Sequence, residues 1–155
     1  MIVHAGRWQL DADASATGRC YAPIPLGSGC DCAECRNFIA SVDSSFPDLF
    51  RSWMRQMSVD LRKPSELCHY GRDEAGLFVT HGWYHMVGSI LDGRDAWTPS
   101  SPTGFTGDME RLQEGFDFGF SHVLLLVPET FTGHPVVQIE FATVARWCIS
   151  DPRPS

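Results

Sequence analysis

Residues 77–91 read LFVTHGWYHMVGSIL. The odd positions carry Leu77, Val79, His81, Trp83, His85 and Val87, and the even ones Phe78, Thr80, Gly82, Tyr84 and Met86. Successive side chains of a strand point to opposite faces of its sheet. Both sets here are largely apolar, so the stretch predicts a central strand covered on both sides.

The neighbouring segments supply a sheet for it. Glu66–Gly71 reads as a short strand, joined to the central one by the turn RDEAG. Residues 92–108 are rich in Pro, Ser, Thr and Gly and predict a loop. Beyond it, Phe116, Phe118, Phe120, His122, Leu124 and Leu126 alternate with Asp117, Gly119 and Ser121. After Gly133-His134-Pro135, the residues Val137, Ile139, Phe141, Ala145, Trp147 and Ile149 alternate with Gln138, Glu140 and Arg146. These two runs predict a long antiparallel hairpin with one face inward.

Helical periodicity belongs to the first half. Cys35, Phe38, Ile39 and Val42 follow the i, i+3, i+4, i+7 spacing of one apolar helix face. Asp31 is placed to N-cap that helix, with Glu34 closing a capping box. Phe46, Leu49, Phe50, Trp53, Met54 and Met57 make the stripe of a second helix, with Asp48, Arg51, Ser52, Arg55 and Gln56 on its other side. Ser45 and Asp48 are its candidate caps, and Pro47 suits its first turn. Residues 11–29 are small, polar and Pro/Gly-rich, with one extended piece expected around Tyr21. Helices early and strands late predict an α+β fold: an antiparallel sheet with two helices from the N-terminal half packed on one face. Phe50, Trp53, Met54, Phe118, Phe120, Ile139 and Phe141 are the expected core. At 155 residues the chain is expected to form one globular domain, residues 1–155, with a frayed tail at 151–155.

The chemistry gathers elsewhere. Residues 29–37 read GCDCAECRN, placing Cys30, Cys32 and Cys35 within six positions of a chain with six cysteines. Three thiols at this spacing can converge on one small ion, and a helix N-terminus favours the thiolate form. Zinc takes Cys and His in sets of four, so a fourth ligand is needed. Cys20, Cys68, His81 and His85 are candidates. His81 and His85 stand about 13 Å apart on a strand at about 3.3 Å per residue, so at most one of them joins the cysteines. The competing readings are buried structural thiols and a redox or nucleophilic cysteine.

Formal net charge is −7, with 43% hydrophobic and 20% charged residues. Such an acidic balance argues against a nucleic-acid or anionic-membrane surface and suits a partner with a basic surface. The start MIVHAGRWQL lacks the pattern of a signal peptide, and the longest apolar run, VLLLV at residues 123–127, is too short to span a bilayer. A cytoplasmic setting is expected, where clustered cysteines point to metal or redox chemistry more than to disulfides. Neither GxSxG, nor a P-loop, nor GxGxxG after a strand is present.

The order PIPLGSGCDCAECRNF, an amphipathic helix, VDLRKPSEL, a short acidic turn and HGWYHMVGSI resembles a family of small, single-domain bacterial proteins to which no activity is assigned. The resemblance covers roughly residues 21–91 and rests on the CxCxxCRN and GWYHxVG elements. It implies Cys30, Cys32, Cys35 and His85 as the metal-ligand set. The functional expectation is a small binding or accessory protein, such as an acidic inhibitor of a basic toxin, with a structural zinc or thiol cluster. The alternative is a metal- or thiol-dependent enzyme using the Cys30/Cys32/Cys35 and His85 region.

Overall fold

The strand expected at residues 77–91 is the longest element of the molecule. In the computed structural model, which describes residues 1–155, it runs Phe78–Asp92. In chain order the elements are β1 (Ile2–Ala5), β2 (Trp8–Ala12), α1 (Ala14–Tyr21), α2 (Ala33–Ser45), α3 (Asp48–Gln56), β3 (Glu66–Arg72), β4 (Phe78–Asp92), β5 (Trp97–Ser101), β6 (Gly104–Gly107), β7 (Glu110–Gln113), β8 (Phe116–Ser121) and β9 (Val136–Ala145). A 3-10 turn, Glu129–Phe131, precedes β9. Seven strands form one antiparallel sheet in the order β1-β2-β4-β9-β8-β7, and β3 pairs with β4 as well. β5 and β6 form a separate hairpin. The fold is α+β.

β4 is central because both of its edges are occupied along most of its length. β9 pairs with it from Phe78↔Ala145 to Val87↔Val136. Its other edge is shared: β3 takes Phe78–Trp83, and β2 takes Gly88–Asp92. Between them the backbone of His85 and Val87 has no strand beside it. α1 fills that gap with hydroxyl groups. The His85 N–H donates to Tyr21 Oη at 3.1 Å, and the Tyr21 hydroxyl donates to the His85 carbonyl at 2.8 Å. The Val87 N–H donates to Thr17 Oγ1 at 2.9 Å, and the Asp13 N–H donates to the Val87 carbonyl at 2.9 Å. Buried backbone groups must find partners, and here a tyrosine and a threonine replace a strand. The residues around Tyr21 are therefore helical, not extended. Asp13 starts that helix by accepting from the Ala16 N–H at 2.8 Å.

The even-numbered face of β4 meets α2 and α3. Phe46, at the junction of the two helices, touches Phe38, Phe50, Tyr84, Phe116 and Phe141, with ring centroids 5.1–6.5 Å apart. Aromatic pairs at such distances add to the stabilisation from burial alone. All seven expected core residues are buried. The sheet curls until its outer edges meet: the Arg7 N–H donates to Glu110 of β7 at 3.0 Å, and Trp8 packs edge-on against Phe118 and Phe120. Gly6, at φ +58°, allows this closure, since a Cβ there would stand 2.7 Å from both the Glu110 carboxylate and the Phe118 ring.

Two expectations need correction on the other side. Residues 92–108 are not all loop, because they contain the β5–β6 hairpin. β8 ends at Ser121, so Leu124 and Leu126 do not continue it; Leu124, Leu125 and Leu126 are exposed, and Leu126 has φ +49°. The reason lies in two side chains: Gln138 Oε1 accepts from the Leu125 N–H, and Trp83 Nε1 donates to the Leu125 carbonyl at 2.9 Å. These bonds hold the Leu125 backbone in a loop on the sheet instead of in a strand beside β9. At the start of the tail, Asp151 pairs with Arg36 of α2 and its carbonyl accepts from Trp147 Nε1 at 2.8 Å.

Phe46→Ala should cost about 3–5 kcal/mol, the usual loss for a large aromatic removed from a core. Leu49→Ala, on the exposed side of α3, should stay within about 0.5 kcal/mol. Urea denaturation of both variants checks this, and equal losses would show that the aromatic cluster is not the centre of the core.

Candidate metal centre

The cysteine cluster forms where a Pro/Gly loop enters α2. Gly27 and Gly29 take φ +87° and +85°, and the Gly27 N–H donates to the Arg62 carbonyl at 2.8 Å. The N-cap of α2 is Cys32, with its Sγ 3.5 Å from the Cys35 N–H. Asp31, expected as the cap, lies one residue too early and is exposed. A thiol thus occupies the place where an oxygen usually satisfies the first free N–H groups of a helix.

Cys30, Cys32 and Cys35 converge. Their sulfur atoms lie within 4.8 Å of one another, with Cys30 and Cys32 exposed and Cys35 buried. A tetrahedron with zinc–sulfur arms of ~2.3 Å has edges of ~3.8 Å, so closing on an ion needs about an ångström of movement at most. Burial raises the Cys32 thiol, but the Cys35 N–H and the neighbouring Cys30 and Cys35 thiols outweigh it, and the net shift is downward. Burial pushes Cys35 up to about 12, and its hydrogen bonds to Cys32 and Cys30 add to that. Ionisation is thus eased at one sulfur, and another keeps its proton unless something replaces it. A bound cation does that, because a metal-coordinating thiol is deprotonated outright.

A histidine, His69, stands beside one of these sulfurs, Cys35, outside the group of three whose ligand atoms all lie within 4.8 Å of one another. Its Nε2 lies 3.3 Å from Cys35 Sγ, and its Nδ1 lies 3.0 Å from Thr80 Oγ1. A sulfur–nitrogen edge of a zinc tetrahedron is ~3.5 Å. Burial lowers the pKa of His69, with Glu34 and Glu66 opposing it, so the ring is neutral near pH 7. With Nδ1–H assigned as donor to Thr80, the Nε2 lone pair faces the Cys35 thiol. That is the tautomer a metal-binding histidine needs, and a partner on the other nitrogen is how such rings are oriented.

His85, the histidine nominated from the sequence, is not brought to the cysteines. His69 pairs with Thr80 across β3 and β4, and both lie on the even face of β4. His85 is odd and points the other way. Its two ring nitrogens are taken, Nδ1 by Ser65 Oγ at 2.8 Å and Nε2 by Gln138 Oε1 at 3.1 Å. It is fully buried, and burial lowers its pKa to about 4. Cys68 and His81 face each other across the strand pair on that same odd face. Cys20 is buried in α1, where burial raises its thiol. Alternation around His69 was visible in the sequence, but its pairing with Thr80 was not, because the bulge in the β3–β4 register after His69 cannot be counted from the turn length.

Beside the cluster an open hollow of about 500 Å³ is lined by Leu26, Gly29, Cys30, Cys35, Arg36 and Ile39. Compared with known protein families, with curated proteins and with solved structures, the chain matches none of them.

Nitrogen-15 NMR of the histidine rings checks the assigned tautomer. His69 should be neutral at pH 7 with its proton on Nδ1. Thr80→Val should shift it toward a mixture of tautomers, and a dominant Nε2–H form in the unaltered protein would contradict the orientation.

Proposed function

We propose that Cys30, Cys32, Cys35 and His69 hold one structural zinc ion, and that the protein is a small binding or accessory protein and not an enzyme. The observation that carries the reading is the His69 ring, aimed at Cys35 by Thr80. Four protein ligands close a zinc site, whereas catalytic zinc keeps a position for water. The site ties the loop at Cys30 and the start of α2 to β3, two segments far apart in sequence. Because the unfolded chain lacks a formed site, metal affinity becomes folding free energy.

The setting we propose is the cytoplasm, where thiols remain available to a metal. All six cysteines are free, and no helix is long and apolar enough to cross a membrane. The net charge of −7 supports a protein partner with a basic surface, drawn in by long-range attraction. A bacterial source and kinship with the CxCxxCRN family belong to the same reading, although the ligand set we propose replaces His85 by His69.

A second reading has one observation behind it. Cys30 and Cys32 are exposed, Cys30 lines the hollow, and the pKa of the Cys32 thiol is lowered. A metal-free protein with Cys32 as nucleophile would use these features.

Elemental mass spectrometry of the purified protein distinguishes the two. One zinc per chain is expected, lost in Cys32→Ser and in His69→Ala and retained in His85→Ala. Chelation should lower the melting temperature of the unaltered protein and leave that of Cys32→Ser unmoved. Zinc-free protein whose melting temperature ignores added zinc, with Cys32 alkylated rapidly near neutral pH, would overturn the structural-zinc reading in favour of thiol chemistry.

A further inference from the structure

The odd face of β4 carries a second constellation that the zinc reading does not use. Ser65, His85, Gln138 and Glu140 form a chain of hydrogen bonds across β4 and β9. With His85 neutral, Ser65 donates to Nδ1, Nε2–H donates to Gln138 Oε1, and the Gln138 amide donates to Glu140. The Leu125 N–H also donates to Gln138 Oε1. Every donor in the chain is therefore aimed, and the chain ends at a carboxylate.

Glu140 is 6% exposed, and none of the ion pairs of the protein includes it. A buried carboxylate without a cation is costly. Burial pushes its pKa up to about 7, while hydrogen bonds from Gln138 and Trp97 lower it. A folded-state pKa above the unfolded value means that Glu140 weakens the fold progressively as pH rises from 4.5 to about 7, and by a constant amount above that. Such a group is kept at a cost to stability, as groups at functional sites often are.

Glu140 lines a cavity of about 140 Å³ with Trp83, Trp97, Phe105, Val123 and Leu125. Drug-sized ligands occupy roughly 300–1,000 Å³, so the occupant is a small group. Its exposed wall is almost wholly apolar, three aromatic side chains beside Val123 and Leu125, with a small polar patch to which Glu140 and Gln138 contribute. Aromatic walls attract cations through their ring quadrupoles and suit alkylated ammonium groups, and the carboxylate supplies the opposite charge.

We propose that the cavity between β4, β9, the β5–β6 hairpin and the Val123–Val127 loop binds a small organic ammonium ion, with Glu140 as counter-ion and Trp83, Trp97 and Phe105 as its walls. Gln138 is a positioning residue: it holds the Glu140 carboxylate in place and is itself fixed by His85 and Leu125. The exposed side chains at the mouth, Phe105 and Leu125, take the alkyl part of the ligand. The site is independent of the cysteine cluster, which lies on the opposite face of β4.

Calorimetric titration with choline, alongside 3,3-dimethylbutan-1-ol as its uncharged carbon counterpart, tests the proposal on the full chain. Choline should bind saturably, quench tryptophan fluorescence and bind at least tenfold more tightly than the alcohol. Glu140→Gln keeps the shape, relieves the buried charge and should raise the melting temperature while weakening choline at least tenfold and leaving the alcohol unchanged. A lysine-bearing peptide that binds more tightly than choline would assign the ammonium group to a protein partner, and the reverse order would assign it to a free amine. Equal binding of choline and the alcohol, no binding of choline, or full choline binding by a folded Glu140→Gln protein would overturn the proposal.

Discussion

The pleat of β4 governs what can meet what in this protein. Neighbouring residues of a strand cannot reach the same side of a sheet, so Thr80 and His85 are committed to opposite faces by the parity of their positions. Thr80 orients His69 toward the cysteines at the start of α2. His85 anchors a polar chain that ends at Glu140. A register slip of one residue in β4 would exchange these assignments and place Tyr84 and Met86 outside the core. The register is held by β9 along ten residue pairs, and also by Gly82, where a Cβ would stand 2.5 Å from the Glu66 carbonyl and 2.8 Å from the Phe141 ring.

The two faces are stabilised by different means. On the helix side, burial of aromatic rings around Phe46 dominates, and hydrophobic area is the main favourable term in folding. On the other side the cover is thin: a loop, a 3-10 turn and a two-stranded hairpin. There, hydrogen bonds decide the structure, with Trp83 and Gln138 fixing the Leu125 backbone and His85 kept neutral by burial. The helix–sheet core sets the frame, and the zinc proposed for Cys30, Cys32, Cys35 and His69 would secure the loop that leads into α2.

Much of the frame was legible in the sequence. The apolar face from Cys35 to Val42, the stripe from Phe46 to Met57 and the alternation in residues 77–91 and 137–149 place two helices and two central strands, because each pattern extends over several turns or pleats, although the last pattern runs past the end of β9 at Ala145. Residues 14–21 were harder. ASATGRCY has few apolar side chains, and its burial comes from hydroxyls bonded to a strand edge that only the assembled sheet creates. The β1–β2 hairpin is short, and its role depends on distant Glu110. Periodicity also overextended β8, since Leu124 and Leu126 continue the alternation while two side chains pull the backbone away. Among the site residues, the convergence of Cys30, Cys32 and Cys35 followed from spacing alone. His69 did not, because a fourth ligand from another strand depends on register, and the bulge beside His69 hides it. Glu140 reads as an ordinary outward residue of an alternating strand, and the hairpin that covers it lies in residues whose composition predicts loop.

The central claim concerns four atoms, three sulfurs and one imidazole nitrogen. X-ray absorption at the zinc edge, on protein loaded with one equivalent of zinc, reads that set directly. The account predicts three sulfur neighbours at ~2.3 Å and one nitrogen at ~2.0–2.1 Å with the outer-shell scattering of an imidazole. That imidazole signal should vanish in His69→Ala and persist in His85→Ala. A spectrum with four sulfurs, or one whose imidazole signal disappears with His85 and not with His69, would contradict the placement of the site on the even face of β4.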